Sequence, residues 1–368
     1  MAARSRSTRT ASSSSSRARR GVVGMALAVV ALLCLGMLPA HAAPQPSAAL
    51  PAWVRRPCAP TAIPEPLVAG TYCRNVVVDG VVREYLLYVP AQRAVGGAPL
   101  VVMHHGSGGD GLKFWRTSGW REVADAQGAV VAFPTGLQHF VTKDGANRWI
   151  TKWNGLDLVD EIDVARRLPG YPADAPWPAD DVAFERQLVD DVEDLVPVDE
   201  QRIFVSGFSN GASFANRVAI ELPDRVAAVG ASGGGPVIPA AFPSHDEPPA
   251  DLWLIIGSAD DRFLAGSGLD ELPLDPAGMV AVPVLRAAMA SHTLRWGLPI
   301  VPCQIDRRAT STTLVFCAPG RPEFRLSIVD DLTHVYPHGF DRRTNPSGIA
   351  AARVFWTFFA ARPLAEAP

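Results

Sequence analysis

The chain has 368 residues, of which 48% are hydrophobic and 19% are charged, and its formal net charge is −3. This length allows one large or two small domains, and the hydrophobic content suffices for a large buried core. Beyond the first 20 residues no basic patch stands out, which argues against a nucleic-acid-binding protein.

The first 42 residues have the composition of a secretory signal peptide. Residues 1–20 contain six arginines and no acidic residue, an apolar run covers residues 22–38, and Ala40-His41-Ala42 supplies small residues for cleavage. This order predicts export with cleavage after Ala42 or Ala43, which would lower the net charge to −9. An uncleaved anchor is the alternative, because the apolar run is near the lower length limit for a bilayer span. We expect a secreted or periplasmic protein without stable membrane association.

Four cysteines remain after the signal peptide: Cys58, Cys73, Cys303 and Cys317. An even number of cysteines in an exported chain favours disulfides. Three pairings exist, and we favour the local ones, Cys58–Cys73 and Cys303–Cys317. A zinc site is the alternative, but neither pair has the two-residue spacing or the neighbouring histidines of such a site. We therefore expect no metal and no cofactor.

Strands and helices alternate after a Pro- and Ala-rich lead-in at residues 43–65. Asp79-Gly80 between two β-rich runs predicts an antiparallel hairpin over residues 74–89. Apolar runs typical of buried strands lie at residues 99–104, 129–133, 203–205, 225–232 and 252–257, and later strands at 313–316 and 324–328. Helical periodicity is found at residues 115–127, 181–195, 212–222, 282–296 and 349–359.

This alternation predicts an α/β fold in one domain over residues 66–368. Buried strands separated by helices form a mostly parallel sheet with helices on both faces, and the opening hairpin adds an antiparallel edge. Residues 137–180 have no clear period, and a loop of that length is either functional or wrongly assigned.

The most informative stretch is Gly207-Phe208-Ser209-Asn210-Gly211, between the strand at 203–205 and the helix at 212–222. A strand, a sharp turn and a helix around Gly-x-Ser-x-Gly form the nucleophile elbow of α/β-hydrolases. The serine of such a turn has a strained backbone, and the glycines lack Cβ atoms that would collide with the strand and the helix. We interpret Ser209 as a nucleophile; the alternative is an ordinary Gly/Ser turn.

An acidic residue should follow a later strand, because the chain order in this fold is serine, acid, histidine. Asp260 lies just past the predicted strand at 252–257. Asp261 is the nearest rival, and an aspartate here could also simply cap a turn. Asp260 is preferred because of its distance from the strand end.

The base should be a histidine beyond the last strand, and His334 follows the strand at 324–328 directly. His338 lies four residues later and remains an alternative. His292 falls in a predicted helix, where a core or surface role is expected, and His139 and His245 fall in predicted loops.

Two backbone N–H groups should bind the oxyanion. The first belongs to the residue after the nucleophile, Asn210. The second belongs to the loop after an early strand, His105-Gly106-Ser107, where Ser107 is the expected donor. A phosphate loop is the alternative for the glycines that follow, but the stretch lacks the lysine and spacing of a Walker A motif.

With these residues in place, the chain resembles the polyhydroxybutyrate depolymerase-like esterases, relatives of feruloyl and acetylxylan esterases. The matching stretches are Arg83–Pro90, Pro99–Gly109, Gly207–Ala215, Gly257–Asp260 and Thr333–Pro337. The resemblance implies an α/β-hydrolase fold, secreted esterase activity without a metal, and a triad of Ser209, Asp260 and His334. We expect a monomer acting on polyhydroxybutyrate-type esters or oligomers.

The chain departs from the family pattern at two places. The histidine context reads Asp331-Leu332-Thr333-His334-Val335-Tyr336-Pro337 in place of Gly-Gly-Gly-His-x-Trp-Pro-Gly, and Ser107 stands where family members often have cysteine. Three alternatives stay open: a feruloyl or acetylxylan esterase, a non-catalytic carbohydrate- or cell-wall-binding protein, and an acyltransferase.

Overall fold

The computed structural model describes residues 50–143, 146–243, 247–339 and 343–364. The expected signal peptide and the first part of the lead-in lie outside this range, as does His245. The strands are β1 (Gly70–Val78), β2 (Val81–Val89), β3 (Ala98–His104), β4 (Val130–Pro134), β5 (Leu137–Lys143), β6 (Ala146–Lys152), β7 (Val198–Phe208), β8 (Ala228–Ser232), β9 (Asp251–Gly257), β10 (Gln304–Arg308), β11 (Ser311–Phe316) and β12 (Phe324–Val329). The helices are α1 (Gly111–Thr117), α2 (Trp120–Gln127), α3 (Leu158–Glu161), α4 (Asp181–Leu195), α5 (Asn210–Glu221), α6 (Asp261–Leu264), α7 (Pro276–Ala281), α8 (Pro283–Trp296) and α9 (Ala351–Phe359).

Ten of the described strands form one sheet in the order β1-β2-β4-β3-β7-β8-β9-β12-β11-β10. The middle six strands, from β4 to β12, are mutually parallel. The hairpin β1–β2 pairs antiparallel at one edge, and Asp79 and Gly80 both have positive φ at its turn, as the Asp-Gly signal predicts. The predicted fold class, a mostly parallel α/β sheet with an antiparallel N-terminal hairpin, is confirmed.

Apolar side chains cover both faces of the sheet. One cluster packs α4, α5 and α8 against it, and a second packs α1, α2 and α9 against the opposite face. Every residue of β3 is buried, which explains why this strand is continuously apolar in the sequence. With helices packed on both faces, the ends of the parallel strands are where loops can bring functional side chains together.

The structure corrects several predicted elements. The helix predicted at 115–127 is two helices, because Gly119 has φ 80° and interrupts it between α1 and α2. Residues 137–180 contain a separate two-stranded sheet, β5–β6, and the short helix α3. At the far edge, β10 and β11 run antiparallel, and β10, α6 and α7 were not expected.

Two disulfides join Cys58 to Cys73 and Cys303 to Cys317, the local pairing that the sequence favours. The first attaches the segment before β1 to the sheet, and Arg55 in that segment pairs with Glu84 of β2. None of the described helices combines the length and apolarity needed to cross a bilayer.

Candidate active site

The turn between β7 and α5 has the geometry of a nucleophile elbow. Ser209 has φ 53° and ψ −121°, a positive φ that non-glycine residues rarely adopt. A Cβ atom on Gly207 would collide with the carbonyl of Gly211, and one on Gly211 would collide with the carbonyls of His104 and His105. The two glycines are therefore required by close backbone approach, as predicted, and they hold Ser209 at the sheet edge.

The structure brings Ser209, His334 and Asp260 into one chain of hydrogen bonds. Ser209 Oγ lies 3.0 Å from His334 Nε2. His334 Nδ1 lies 3.0 Å from Asp260 Oδ1 and 2.9 Å from Oδ2. The serine follows β7, the aspartate follows β9, and the histidine follows β12, so three strand ends supply the three groups.

Asp260 is held rigidly in this arrangement. It is only 1% exposed, and its Oδ1 also accepts a hydrogen bond from the Arg262 N–H at the start of α6. The helix-capping role considered from the sequence therefore coexists with the contact to His334. Asp261, its nearest rival, has a side chain that is 78% exposed and pairs with Arg262.

The other histidines lie elsewhere in the described structure. His338 forms a backbone bridge with Ala350. His292 is buried in α8, where burial lowers its pKa to about 4. His139 lies on strand β5 and stacks on Trp177, and this corrects its assignment to a loop.

Ser107 and Asn210 both border Ser209. Asn210 is the first residue of α5, whose N-terminus carries unpaired N–H groups and a partial positive charge. A Cβ atom on Gly106 would lie 3.1 Å from Ser209 Cβ, so the loop that carries Ser107 abuts the serine. Within the described residues, neither the Ser107 nor the Asn210 N–H donates a hydrogen bond to another protein group.

Residues 151–153, at and just after the end of β6, hydrogen-bond both to the loop that carries Ser107 and to Asn210; we call them the strap. The Thr151 carbonyl accepts a hydrogen bond from the Gly108 N–H at 2.8 Å, and Thr151 Oγ1 donates to the Gly109 carbonyl at 2.6 Å. Trp153 N–H donates to Asn210 Oδ1 at 2.7 Å, and Asn210 Nδ2 donates back to the Trp153 carbonyl at 3.1 Å.

Sequence reasoning missed the β5–β6 hairpin, which carries the strap, because it left residues 137–180 unassigned. The signal was present: Asp-Gly at positions 144 and 145 separates two runs rich in β-branched and aromatic residues. The same dipeptide correctly predicted the β1–β2 hairpin.

A cavity of about 730 Å³ opens above Ser209 and His334. Its apolar lining comes from Phe114, Val141, Ile150, Phe208, Phe263 and Val284, and its charged lining from Lys113, Lys152, Asp157, Asp160, Glu161 and Arg262. Lys152 is buried, donates to Ser107 Oγ at 3.2 Å and pairs with Glu161. The cavity lining is thus part apolar and part charged.

Two groups of carboxylate and histidine ligands lie close enough to hold a cation in the described residues. The first is Asp260, Asp261 and His334, in which His334 and Asp260 already bond to each other. The second is Glu271, Asp330 and Asp331, whose side chains are largely solvent-accessible, and exposed acidic groups commonly approach each other without a metal. The absence of a cofactor stays a prediction.

Comparison with known proteins gives one relative over nearly the whole chain. The chain is 30% identical over 351 residues to "Putative esterase NocK" of Nocardia uniformis subsp. tsuyamanensis, covering 89% of this chain and 91% of the relative. It is 23% identical over 183 residues to the bifunctional acetylxylan esterase/xylanase XynS20E of Neocallimastix patriciarum, covering 50% of this chain and 22% of that protein. No family model matches the chain.

Among solved structures, the chain is similar to LpqC, a poly(3-hydroxybutyrate) depolymerase from Bordetella parapertussis. The TM-score is 0.45 at 16% identity, with 81% of this chain and 93% of that chain covered.

Proposed function

Because the chain belongs to the esterase-type α/β-hydrolase family, we propose that it hydrolyses carboxylic esters through an acyl-enzyme on Ser209. The observation that carries the proposal is the hydrogen-bonded series Ser209–His334–Asp260, of which Ser209 and His334 line an open cavity. The narrower resemblance to polyhydroxybutyrate depolymerase-like esterases stays a prediction.

In the proposed mechanism, each group has one role. His334 Nε2 accepts the Ser209 proton as the oxygen attacks the ester carbonyl, and later returns it to the leaving alcohol. Asp260 keeps the proton of the imidazole on Nδ1 and stabilises the imidazolium. The Ser107 and Asn210 N–H groups bind the carbonyl oxygen as it becomes negative. Water then attacks the acyl-enzyme by the same route.

For the substrate, we propose short hydroxybutyrate-type ester oligomers. Phe208 lies beside the catalytic imidazole, with ring centroids 5.2 Å apart, and Phe114 packs next to Phe208 at 6.2 Å. These apolar lining residues suit the methyl and methylene groups of a short aliphatic acid, whose burial is favourable.

Esters of plant polysaccharide are the second candidate, and the carboxylates of the cavity lining favour it. Asp157, Asp160 and Glu161 line the cavity, and sugar hydroxyls donate hydrogen bonds well to carboxylates. The partial match to an acetylxylan esterase agrees with this candidate. A panel of hydroxybutyrate oligomers, methyl ferulate and acetylated xylan, compared by kcat/KM, separates the two.

We also propose that the protein is exported. The basic, apolar and small-residue segments of residues 1–42 are the sequence support, and the two disulfides fit an oxidising compartment. N-terminal sequencing of the protein secreted by its host tests cleavage after Ala42 or Ala43.

The deciding experiment compares Ser209→Ala with Ser267→Ala, a matched serine variant in the loop after α6. We expect Ser209→Ala to lower kcat on p-nitrophenyl butyrate by about 10⁴–10⁶-fold and to abolish labelling by a fluorophosphonate probe. Ser267→Ala should keep both. An unchanged rate in Ser209→Ala would refute the mechanism, and an unlabelled wild-type protein would favour the non-catalytic binding protein. Product analysis with a sugar acceptor present separates hydrolysis from acyl transfer.

A further inference from the structure

The proposed oxyanion donor of Ser107 belongs to a peptide group whose other end is held by two hydrogen bonds. The carbonyl of Gly106 and the N–H of Ser107 form one planar unit and point in opposite directions. The Gly106 carbonyl accepts from the Gly109 N–H at 2.9 Å and lies 2.7 Å from His105 Nδ1. Holding this carbonyl therefore directs the Ser107 N–H the other way.

The ring and the backbone carbonyl of His105 are each held by a hydrogen bond from another part of the chain. Its Nε2 accepts a hydrogen bond from the Gly136 N–H at 2.9 Å, and its backbone carbonyl accepts from Trp153 Nε1 at 2.9 Å. The side chain is completely buried. Since Nε2 is an acceptor, the one proton of the neutral ring must lie on Nδ1, where it is donated to the Gly106 carbonyl.

Burial also keeps the ring in this state. It lowers the pKa of His105 to about 4, so the imidazole is neutral at pH 7 and both hydrogen bonds persist. The groups that act on it through their charges are Asp110, His104 and Arg55, and their effects are smaller than that of burial.

We propose that His105 is a positioning residue, whose Nδ1–H fixes the orientation of the Gly106–Ser107 peptide and so keeps the Ser107 N–H aimed at the oxyanion. This inference rests on the proposed esterase function. If the peptide turned over, its carbonyl would face the developing negative charge in place of the N–H, and one donor of an oxyanion hole contributes about 10²–10³ in kcat.

The structure offers a matched pair of variants that separates the two hydrogen bonds of the ring. In His105→Asn the side-chain amide reaches the position of Nδ1, so it can still donate to the Gly106 carbonyl. In His105→Gln the amide reaches the position of Nε2, so it can accept from Gly136 but not hold Gly106. We expect His105→Asn to keep kcat within about tenfold of wild type and His105→Gln to lose about 10²-fold, with KM little changed in both. Equal losses, or a smaller loss in His105→Gln, would overturn the proposal.

A measurement on the wild-type protein covers the case in which these variants do not fold. Two-bond ¹⁵N–¹H correlation NMR at pH 7 reports which ring nitrogen carries the proton. A proton on Nδ1 of His105 supports the assignment, and a proton on Nε2 overturns it. Ser209→Ala, assayed in parallel, distinguishes a failure of the His105 inference from a failure of the proposed function. Full activity in that variant would refute the esterase mechanism itself, independently of His105.

Discussion

Ser209 is strained by its position, since its φ of 53° and ψ of −121° lie in a region that costs non-glycine residues about 1–3 kcal/mol. The surrounding backbone holds this conformation: the Ser209 N–H donates to the Ser232 carbonyl of β8 at 2.9 Å, and the Ser209 carbonyl accepts from the N–H groups of Ala212 and Ser213. This backbone conformation holds Ser209 Oγ beside His334 Nε2, so the serine side chain need not rotate to reach the imidazole.

Asp260 and Asp261 are adjacent carboxylates, and their different environments predict opposite effects of an Asp→Asn substitution on kcat. In Asp260→Asn the amide NH₂ would face His334 Nδ1 and force the ring proton onto Nε2. A protonated Nε2 could no longer accept the Ser209 proton. We expect kcat to fall by about 10⁴-fold, while the asparagine oxygen can still cap α6. The measurement is kcat on p-nitrophenyl butyrate.

Asp261→Asn is the control, because its carboxylate is 78% exposed and pairs with Arg262 on the surface. Its kcat should stay within about twofold of wild type, as exposed ion pairs contribute little. A larger loss in Asp261→Asn than in Asp260→Asn would reverse the assignment of the acid.

At the level of elements, the β5–β6 hairpin is the unexpected part of the site. It is separate from the main sheet, yet its strap bonds to both the Gly106–Gly109 loop and Asn210. The two proposed oxyanion donors come from stretches about a hundred residues apart in sequence. A rigid third element that contacts both is a direct way to keep their spacing constant.

Thr151→Val tests the contribution of the strap. The substitution keeps the size and β-branching of the side chain but removes the hydroxyl that donates to the Gly109 carbonyl, leaving that acceptor unsatisfied. We expect the free energy of unfolding to fall by about 1–3 kcal/mol and kcat to fall by more than KM changes. Urea unfolding and steady-state kinetics measure the two effects.

Thr142→Val on the same hairpin is the matched control, since its hydroxyl donates to Asn147 at the exposed surface. Its stability should change by less than about 0.5 kcal/mol. Equal destabilisation in the two variants would show that the hairpin responds to the loss of any hydroxyl, and that Thr151 has no special connection to the oxyanion loop.

At the scale of the whole molecule, several histidines are buried in a neutral state. Burial lowers the pKa of His105, His139 and His292 to about 4 in the folded protein, against about 6.5 in an unfolded chain. Between these values the unfolded state binds more protons than the folded state. The contribution of these three histidines to stability is therefore fully present above pH 6.5 and is lost as the pH falls towards 4.

His292→Gln isolates one of these contributions. His292 stacks on Phe324 in the core, 4.5 Å between centroids, and burial is the main cause of its lowered pKa. We expect wild-type unfolding free energy to fall steeply from pH 7 to pH 4.5, and the variant to lose about 2 kcal/mol less over this range. Urea titrations at the two pH values measure it, and an identical pH dependence in both proteins would contradict the buried neutral histidine.

The sequence by itself determined the alternation of strands and helices, the β1–β2 hairpin and the turn at Ser209, and it singled out Asp260 and His334 as the predicted partners of Ser209. These features depend on local signals: apolar periodicity, turn dipeptides, glycines beside a serine, and positions just past a strand end. Parallel strands meet at one edge of a sheet, so position after a strand converts directly into proximity. The distances between the three side chains agree with that reasoning.

Only the tertiary structure decided the antiparallel edge of β10 and β11, the break at Gly119 and, above all, the strap. Thr151 bonds to Gly108 and Gly109, and Trp153 bonds to Asn210, in each case across a long stretch of chain. No local pattern in the sequence encodes such a pairing. The same holds for His105, whose role follows from Gly106 and from the distant Gly136 together. Hydrogen bonds between remote backbone groups depend on how the chain folds back on itself, and this is why they became visible only in three dimensions.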